Sequence, residues 1–378
     1  MKILLVGEYS RLHNSLKEGL EKLGYESHII STGDYFKNYP ADIKLYRKYD
    51  RGILKKLKIG LYKLFGIDIT SISLKRQFFS YCDVLKDYDV VQLINESPFG
   101  IIPKFEKQII SFLKQHNKKL FLLSSGTDYT NVKYAFEKKL RYSILQSFFE
   151  GKSSAKTFDP VLKYLRPEYK SLHDYVFQHV DGVIASDLDY HIPLKGHSKY
   201  LGLIPNPINI DNISFIRNKI NDKIIIFHGI NTTNYNKKGG DYFKDALKII
   251  QNKHATKVLI EISENQPYLH YINSYNKAHI VLDQVLSYDQ GYNALEAMAK
   301  GKVVFTGAEK EFKIFYDLKK TVAINALPDA HKIADALEEL IFNPHKLTEI
   351  GTNAREFVGR EHDYKIIAQK YLDIWANV

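Results

Sequence analysis

The sequence predicts an α/β protein made of two similar halves, each built on a parallel sheet. Three observations carry that prediction. Short apolar runs alternate with helical stretches along the whole chain; the pattern pauses at a proline-bearing link and restarts; and 378 residues are enough for two domains, each with its own core.

The first half opens on KILLVG (2–7), a helical stretch through Leu16, Leu20 and Leu23, and ESHIIS (26–31). DVVQLI (89–94), a helix around 103–115 and LFLLSS (120–125) follow; a helix near 168–179 leads into GVIAS (182–186). The link is LGLIPNPINIDN (201–212), where Pro205 and Pro207 fix φ and remove two backbone donors, so it cannot be a central strand. The second half runs through KIIIFHG (223–229), a helix near 240–251, TKVLIEIS (256–263), AHIVLDQ (278–284), a helix near 291–299, KVVFTG (302–307) and TVAIN (321–325). Helices near 329–342 and 345–358 follow, and the final stretch, HDYKIIAQKYLDIW (362–375), places Ile366, Ile367, Tyr371, Ile374 and Trp375 on one helical stripe. The boundaries read from this pattern are 1–205 and 206–361, with 362–378 as a last helix.

Hydrophobic residues make up 44% of the chain, and no apolar run reaches the roughly 18 residues of a membrane span. The N-terminus lacks an apolar stretch long enough for a secretory signal, and Cys82 is the single cysteine, so the expectation is a cytoplasmic protein without disulfides. The formal charge of +11 is unevenly spread. From Lys44 to Lys63 there are eight basic residues against one acid, Asp50. Within 51–65, Ile53, Leu54, Leu57, Leu61, Leu64 and Phe65 fall on one side of a helical wheel, and Arg51, Lys55, Lys56, Lys58 and Lys63 on the other. Two readings stay open: a helix lying on an anionic membrane surface, and a surface helix with its apolar face on the core. No fold or aromatic–basic motif for nucleic acid is present.

Two segments carry candidate chemistry. In DQVLSYDQGYNALEAMAKGKVVF (283–305), a strand ends and a helix begins near Gly291. The Glu296 carboxylate, early in that helix, can accept two hydrogen bonds from vicinal ribose hydroxyls, and N–H groups at the helix start can meet a phosphate. In FHGINTTNYNKKGGDYFKDAL (227–247), Lys237 and Lys238 precede Gly239, a place where an ammonium and a closely approaching backbone can receive a pyrophosphate. The plain alternatives are a good helix former and a solvated loop.

Residues 283–305 resemble the family-four glycosyltransferases, whose signature is E-G-F-G-x-x-x-L-E-A-M-A-x-G-K-P. Gly291 and Glu296 fall on the glycine and the second acid, and ALEAMAKGK (294–302) follows the pattern closely. Tyr288 holds the place of the first acid, with Asp289 beside it, and Val303 replaces the proline. Lys238-Gly239 resembles the family's K-G; Asn231 and Thr232 stand near the place of its arginine. In the first half, Gly7 falls on a family glycine and SSGTDY (124–129) resembles H-G-S-D, with Ser125 in place of the histidine and Asp128 retained. Asn95 and Glu96, at the end of 89–94, are further candidates.

The resemblance implies a GT-B fold: two Rossmann-like domains facing across a cleft, the first binding acceptor, the second binding nucleotide-sugar, and the last helix crossing back to the first. It implies retaining transfer of a sugar from a UDP- or GDP-sugar to a glycan or lipid-linked acceptor in surface-polysaccharide synthesis, with Lys238, Glu296 and Asp128 as catalytic candidates. No D-x-D motif is apparent, so neither metal nor cofactor is expected. A sugar-nucleotide epimerase and a non-catalytic nucleotide-sugar binder stay open as alternatives. A dehydrogenase would need G-x-G-x-x-G after the first strand, where this chain has GEYSRLHNS (7–15).

Overall fold

The first sheet of the computed structural model holds seven parallel strands: β1 (Lys2–Val6), β2 (Glu26–Ser31), β3 (Ile43–Lys44), β4 (Val90–Leu93), β5 (Lys119–Ser124), β6 (Gly182–Ala185) and β7 (Tyr200–Leu203). Their spatial order is β3-β2-β1-β4-β5-β6-β7. The structure describes residues 1–34, 37–50, 52–264 and 268–378; Arg51 of the basic segment lies outside the described residues. The central strands β1, β4, β5 and β6 are mostly apolar and buried, as expected of strands covered on both faces. Leu4, Val6, Val91, Leu93, Leu122 and Val183 enter one core, and Ile3, Leu5, Val90, Ile94, Phe121 and Ile184 enter the other.

This sheet belongs to a unit formed by Met1–Lys133, Val161–Pro207 and Tyr364–Val378. The final helix, Tyr364–Asn377, lies in it and packs on the helix Leu12–Lys22. Gly19 permits that approach, since a Cβ there would stand 2.3 Å from the Tyr364 carbonyl oxygen. Trp375 is fully buried, and its indole N–H donates to Gln92 Oε1 at 3.1 Å.

The second unit comprises Tyr134–Pro160 and Ile208–Asp363. Its parallel sheet contains β8 (Ile224–Ile230), β9 (Val258–Glu264), β10 (Ile280–Leu282), β11 (Val303–Thr306) and β12 (Ile324–Asn325), in the order β12-β11-β10-β8-β9. Residues 134–160, which the sequence pattern leaves in the first half, cluster with this unit. Charge and hydrogen bonding hold them there. The Arg141 guanidinium pairs with Glu309 at 2.8 Å and Glu311 at 2.7 Å, and the Tyr142 hydroxyl donates to Glu309.

The basic helix spans Gly52–Phe65, and among its described residues none is buried. Ile53 is 84% exposed, Leu64 77% and Phe65 67%. The reading that places its apolar face on the core is therefore corrected: the helix presents both its apolar side chains and its lysines to solvent. Lys58 is tied down by Asp50 at 2.7 Å.

Candidate functional site

In the second sheet, β9 lies on one side of β8, and β10, β11 and β12 lie on the other. The winding reverses between β8 and β10, the place in an open α/β sheet where ligands bind beyond the carboxyl ends of the strands. The loops leaving these two strands carry the candidate donor residues.

The loop after β8 ends in a short helix, Tyr235–Lys238, closed by Gly239 in the left-handed region at φ +74. A Cβ on Gly239 would come within 2.9 Å of Val285 Cβ, and one on Gly240 within 2.2 Å of the Tyr235 ring. Gly239 thus lets this loop lie against the loop after β10, Gly240 makes room for the Tyr235 ring within it, and the Val285 N–H donates to the Lys238 carbonyl at 2.8 Å. Lys238 Nζ donates to Asp283 Oδ1 at 2.8 Å, and Asn293 Nδ2 donates to the same oxygen at 3.0 Å. Lys237 is half-buried, burial pulls its ammonium below the usual lysine range, and no acid pairs with it among the described residues.

The loop after β10 is packed against Gly307, where a Cβ would strike the Ser287 carbonyl at 2.5 Å. Gln290 Nε2 donates to the Gly307 carbonyl at 2.7 Å. Asp289 is buried and its carboxylate accepts from the Gln290 N–H at 2.8 Å. Tyr288 is also buried; its hydroxyl accepts from the Arg141 N–H at 2.8 Å, and the Arg141 guanidinium lies over its ring at 4.7 Å. Gly291 caps the helix Tyr292–Ala299, and Glu296, its fifth residue, is half-exposed.

The first unit repeats the arrangement at its own reversal, between β1 and β4. Gly7 has φ +88, and a Cβ there would meet Ile94 at 2.3 Å. Asn95 is buried: its Nδ2 donates to the Ser125 carbonyl at 2.8 Å and its Oδ1 accepts from the Ser97 N–H at 2.9 Å. Glu96 pairs with His173 Nδ1 at 2.5 Å, and the His173 ring lies 4.8 Å from that of Tyr129. Asp128 accepts from the Asn131 N–H at 2.7 Å and from Ser124 Oγ; burial, then the Glu96 carboxylate, push it up to about 7. Gly7, Asn95, Glu96, Ser125 and Asp128 thus belong to the first unit, and Lys237, Lys238, Gly239, Tyr288, Asp289, Gly291 and Glu296 to the second.

Several residues of these neighbourhoods escape sequence reasoning. Glu8 follows Gly7, accepts the N–H groups of His13 and Asn14, and is pushed up to about 7 by burial. Glu106 is fully buried under the loop after β4. Asp283 had a legible signal, an acid directly after the apolar run Ile280–Leu282; His173 had none, being one histidine of a half-buried helix.

The two-sheet architecture with its returning final helix is the GT-B fold. The chain is similar over 100% of both chains to sucrose-phosphate synthase from Thermosynechococcus elongatus, at TM-score 0.60 and 14% identity. It is similar over the same shares to HepE from Anabaena, solved in complex with UDP and glucose, at TM-score 0.60 and 10% identity. The UDP-GlcNAc 2-epimerase of Neisseria meningitidis also matches, at TM-score 0.52 and 14% identity, again over 100% of both chains. At such identities these likenesses speak to fold. No curated relative matches by sequence. Residues 235–373 match the family described as glycosyl transferase-like. The matched stretch carries Lys238, Asp283 and Glu296.

Proposed function

We propose that the chain transfers a hexose-type sugar from a UDP- or GDP-sugar to a glycan or lipid-linked acceptor in surface-polysaccharide synthesis, with retention of configuration. The observation that carries the donor half is the junction of the loops after β8 and β10, where Lys238 is held by Asp283 beside the helix that bears Glu296. Lys238 and Lys237 meet the diphosphate, whose charge grows as the glycosidic bond breaks, so their contribution is larger in the transition state than in the ground state. The N–H groups after Gly291 add to it, and Glu296 holds the ribose hydroxyls. Retention follows the resemblance to family four: the departing diphosphate and the incoming hydroxyl share one face of the sugar, and the protein's work is chiefly to hold both.

In the first unit, Asn95, Glu96, Ser125 and Asp128 offer hydroxyl partners to an acceptor, with His173 beside Glu96. An Asp128 titrating near 7 both donates and accepts hydrogen bonds at neutral pH. The helix Gly52–Phe65 supports attachment to the inner face of a membrane, since its apolar side chains are exposed and Lys55, Lys56 and Lys63 are free to meet anionic lipid. Among the described residues, no helix is long and apolar enough to cross a membrane.

A panel of UDP- and GDP-sugars, read by nucleotide release and mass spectrometry, tests the reading. Release with transfer to a glycan or water supports it. An epimerised donor assigns the chain to the chemistry named for the Neisseria neighbour, and binding without turnover identifies a non-catalytic binder.

A further inference from the structure

Residues 134–160 touch the second unit's loops in the order of its strands. The Arg141 guanidinium donates to Glu309 at 2.8 Å and to Glu311 at 2.7 and 2.8 Å, and the Tyr142 hydroxyl donates to Glu309; both acids follow β11. On the loop after β10, the Tyr288 hydroxyl accepts from the Arg141 N–H at 2.8 Å. The Arg141 guanidinium lies 4.7 Å over the Tyr288 ring, and the Tyr142 ring stands 5.3 Å from it. Further along, Ser147 Oγ donates to the Asn236 carbonyl at 3.2 Å, in the short helix that carries Lys237 and Lys238. Glu150 accepts at 3.2 Å from the hydroxyl of Tyr242, whose ring lies against Gly239. Since β11, β10 and β8 are neighbours in the sheet, one segment runs along its carboxyl edge across all three. Its ties are polar and partly open to water: 43% of the Arg141 side chain and 28% of that of Glu311 are exposed. Ties of that kind are individually weak, so the docked state stands close to a balance that a ligand of the loops can tip.

We propose that Arg141 is a positioning residue of the donor site. With Ser147 it makes 134–160 a clamp that holds the loops after β8 and β10 at the spacing a nucleoside diphosphate requires. This rests on the reading of Lys238 and the N–H groups after Gly291 as diphosphate ligands. Those groups come from two different loops and must converge on one diphosphate, so a small shift of either loop loses contacts. Asp283 joins the loops at the strand ends, and the clamp joins them again at Asn236 and Tyr288. The coupling is reciprocal: if docking of 134–160 favours the diphosphate, the bound diphosphate fastens 134–160 by the same factor.

Two measurements test this. Arg141→Gln leaves the backbone bond to Tyr288 and takes the guanidinium away from Glu309, Glu311 and the Tyr288 ring. Calorimetry with UDP and with GDP should show the nucleotide that the wild type binds held about fivefold or more weakly, the ordinary range of such coupling. Amide hydrogen exchange of the wild-type chain is the second measurement and does not depend on the variant folding. A saturating concentration of the same nucleotide should slow exchange within 134–160 by a comparable factor, and folded Arg141→Gln should lose that response. A purely structural ion pair lowers the melting temperature and moves neither readout. Wild-type nucleotide affinity in folded Arg141→Gln overturns the proposal, as does exchange within 134–160 that ignores bound nucleotide; both outcomes leave the donor reading standing. If the wild type binds neither UDP nor GDP, the donor reading itself has failed, and this inference with it.

Discussion

Glu106 offers a quantitative test of how the loop after β4 is built. The side chain is fully buried; Oε1 accepts from Ser97 Oγ at 2.8 Å, the Ile101 N–H at 3.1 Å and the Phe99 N–H at 3.3 Å, and Oε2 has no partner among the described residues. Burial outweighs these bonds and pushes the carboxyl from 4.5 up to about 7. The sign follows from linkage. Between those values the native state holds a proton that the unfolded chain has lost, so Glu106 makes the protein less stable as pH rises through that window. At about 1.4 kcal/mol per tenfold, the full effect is about 3 kcal/mol. Glu106→Gln keeps the acceptor oxygen and removes the titration, at a pH-independent cost of about 1–3 kcal/mol for a buried amide N–H₂ lacking a partner. Trp375, the single tryptophan, is buried in the same unit and reports its unfolding by fluorescence. Urea titrations of both proteins from pH 5 to 8 should show the wild type losing up to about 3 kcal/mol relative to Glu106→Gln, most of it before pH 7. Parallel curves would refute the assignment of a protonated, buried carboxyl.

Two further outcomes bear on function. Lys238→Ala should lower kcat as well as donor affinity, because the charge it meets grows as the diphosphate departs; a change confined to the acceptor KM would place the lysine in another subsite. Co-sedimentation with anionic vesicles should exceed that with neutral ones and fall with salt, and Lys55, Lys56 and Lys63 changed to Glu should abolish the difference; equal pelleting throughout would leave Gly52–Phe65 without a lipid role.

The buried strands were the most legible part of the sequence. KILLVG, ESHIIS and DVVQLI appear as β1, β2 and β4, because strands covered on both faces are rich in apolar side chains. The helix Tyr292–Ala299 and its glycine cap were equally plain from GYNALEAMA (291–299). What stayed hidden is held by long-range polar contacts. Residues 134–160 join the second unit through Arg141 and Tyr142, whose partners Glu309 and Glu311 lie far along the chain. Strand β7 is short, half-exposed and contains Gly202, so its four residues lack an apolar signature. The exposure of the basic helix was open for a related reason: an amphipathic wheel describes the side chains and leaves unstated whether anything packs on them. Lys238, Gly291 and Glu296 entered the candidate site because their segments resemble a known signature. Asp283 and Asn293 gain their meaning only once two loops are folded together.

The account turns on whether the junction of the loops after β8 and β10 holds a nucleotide-sugar, and the most direct measurement is the donor dissociation constant of Glu296→Gln against the wild type. The substitution keeps the side chain's shape and removes the charge that strengthens its bonds to the ribose hydroxyls. The account predicts weaker donor binding by on the order of 1.5–3 kcal/mol, with the fold unchanged. Unaltered donor affinity in the folded variant would contradict it.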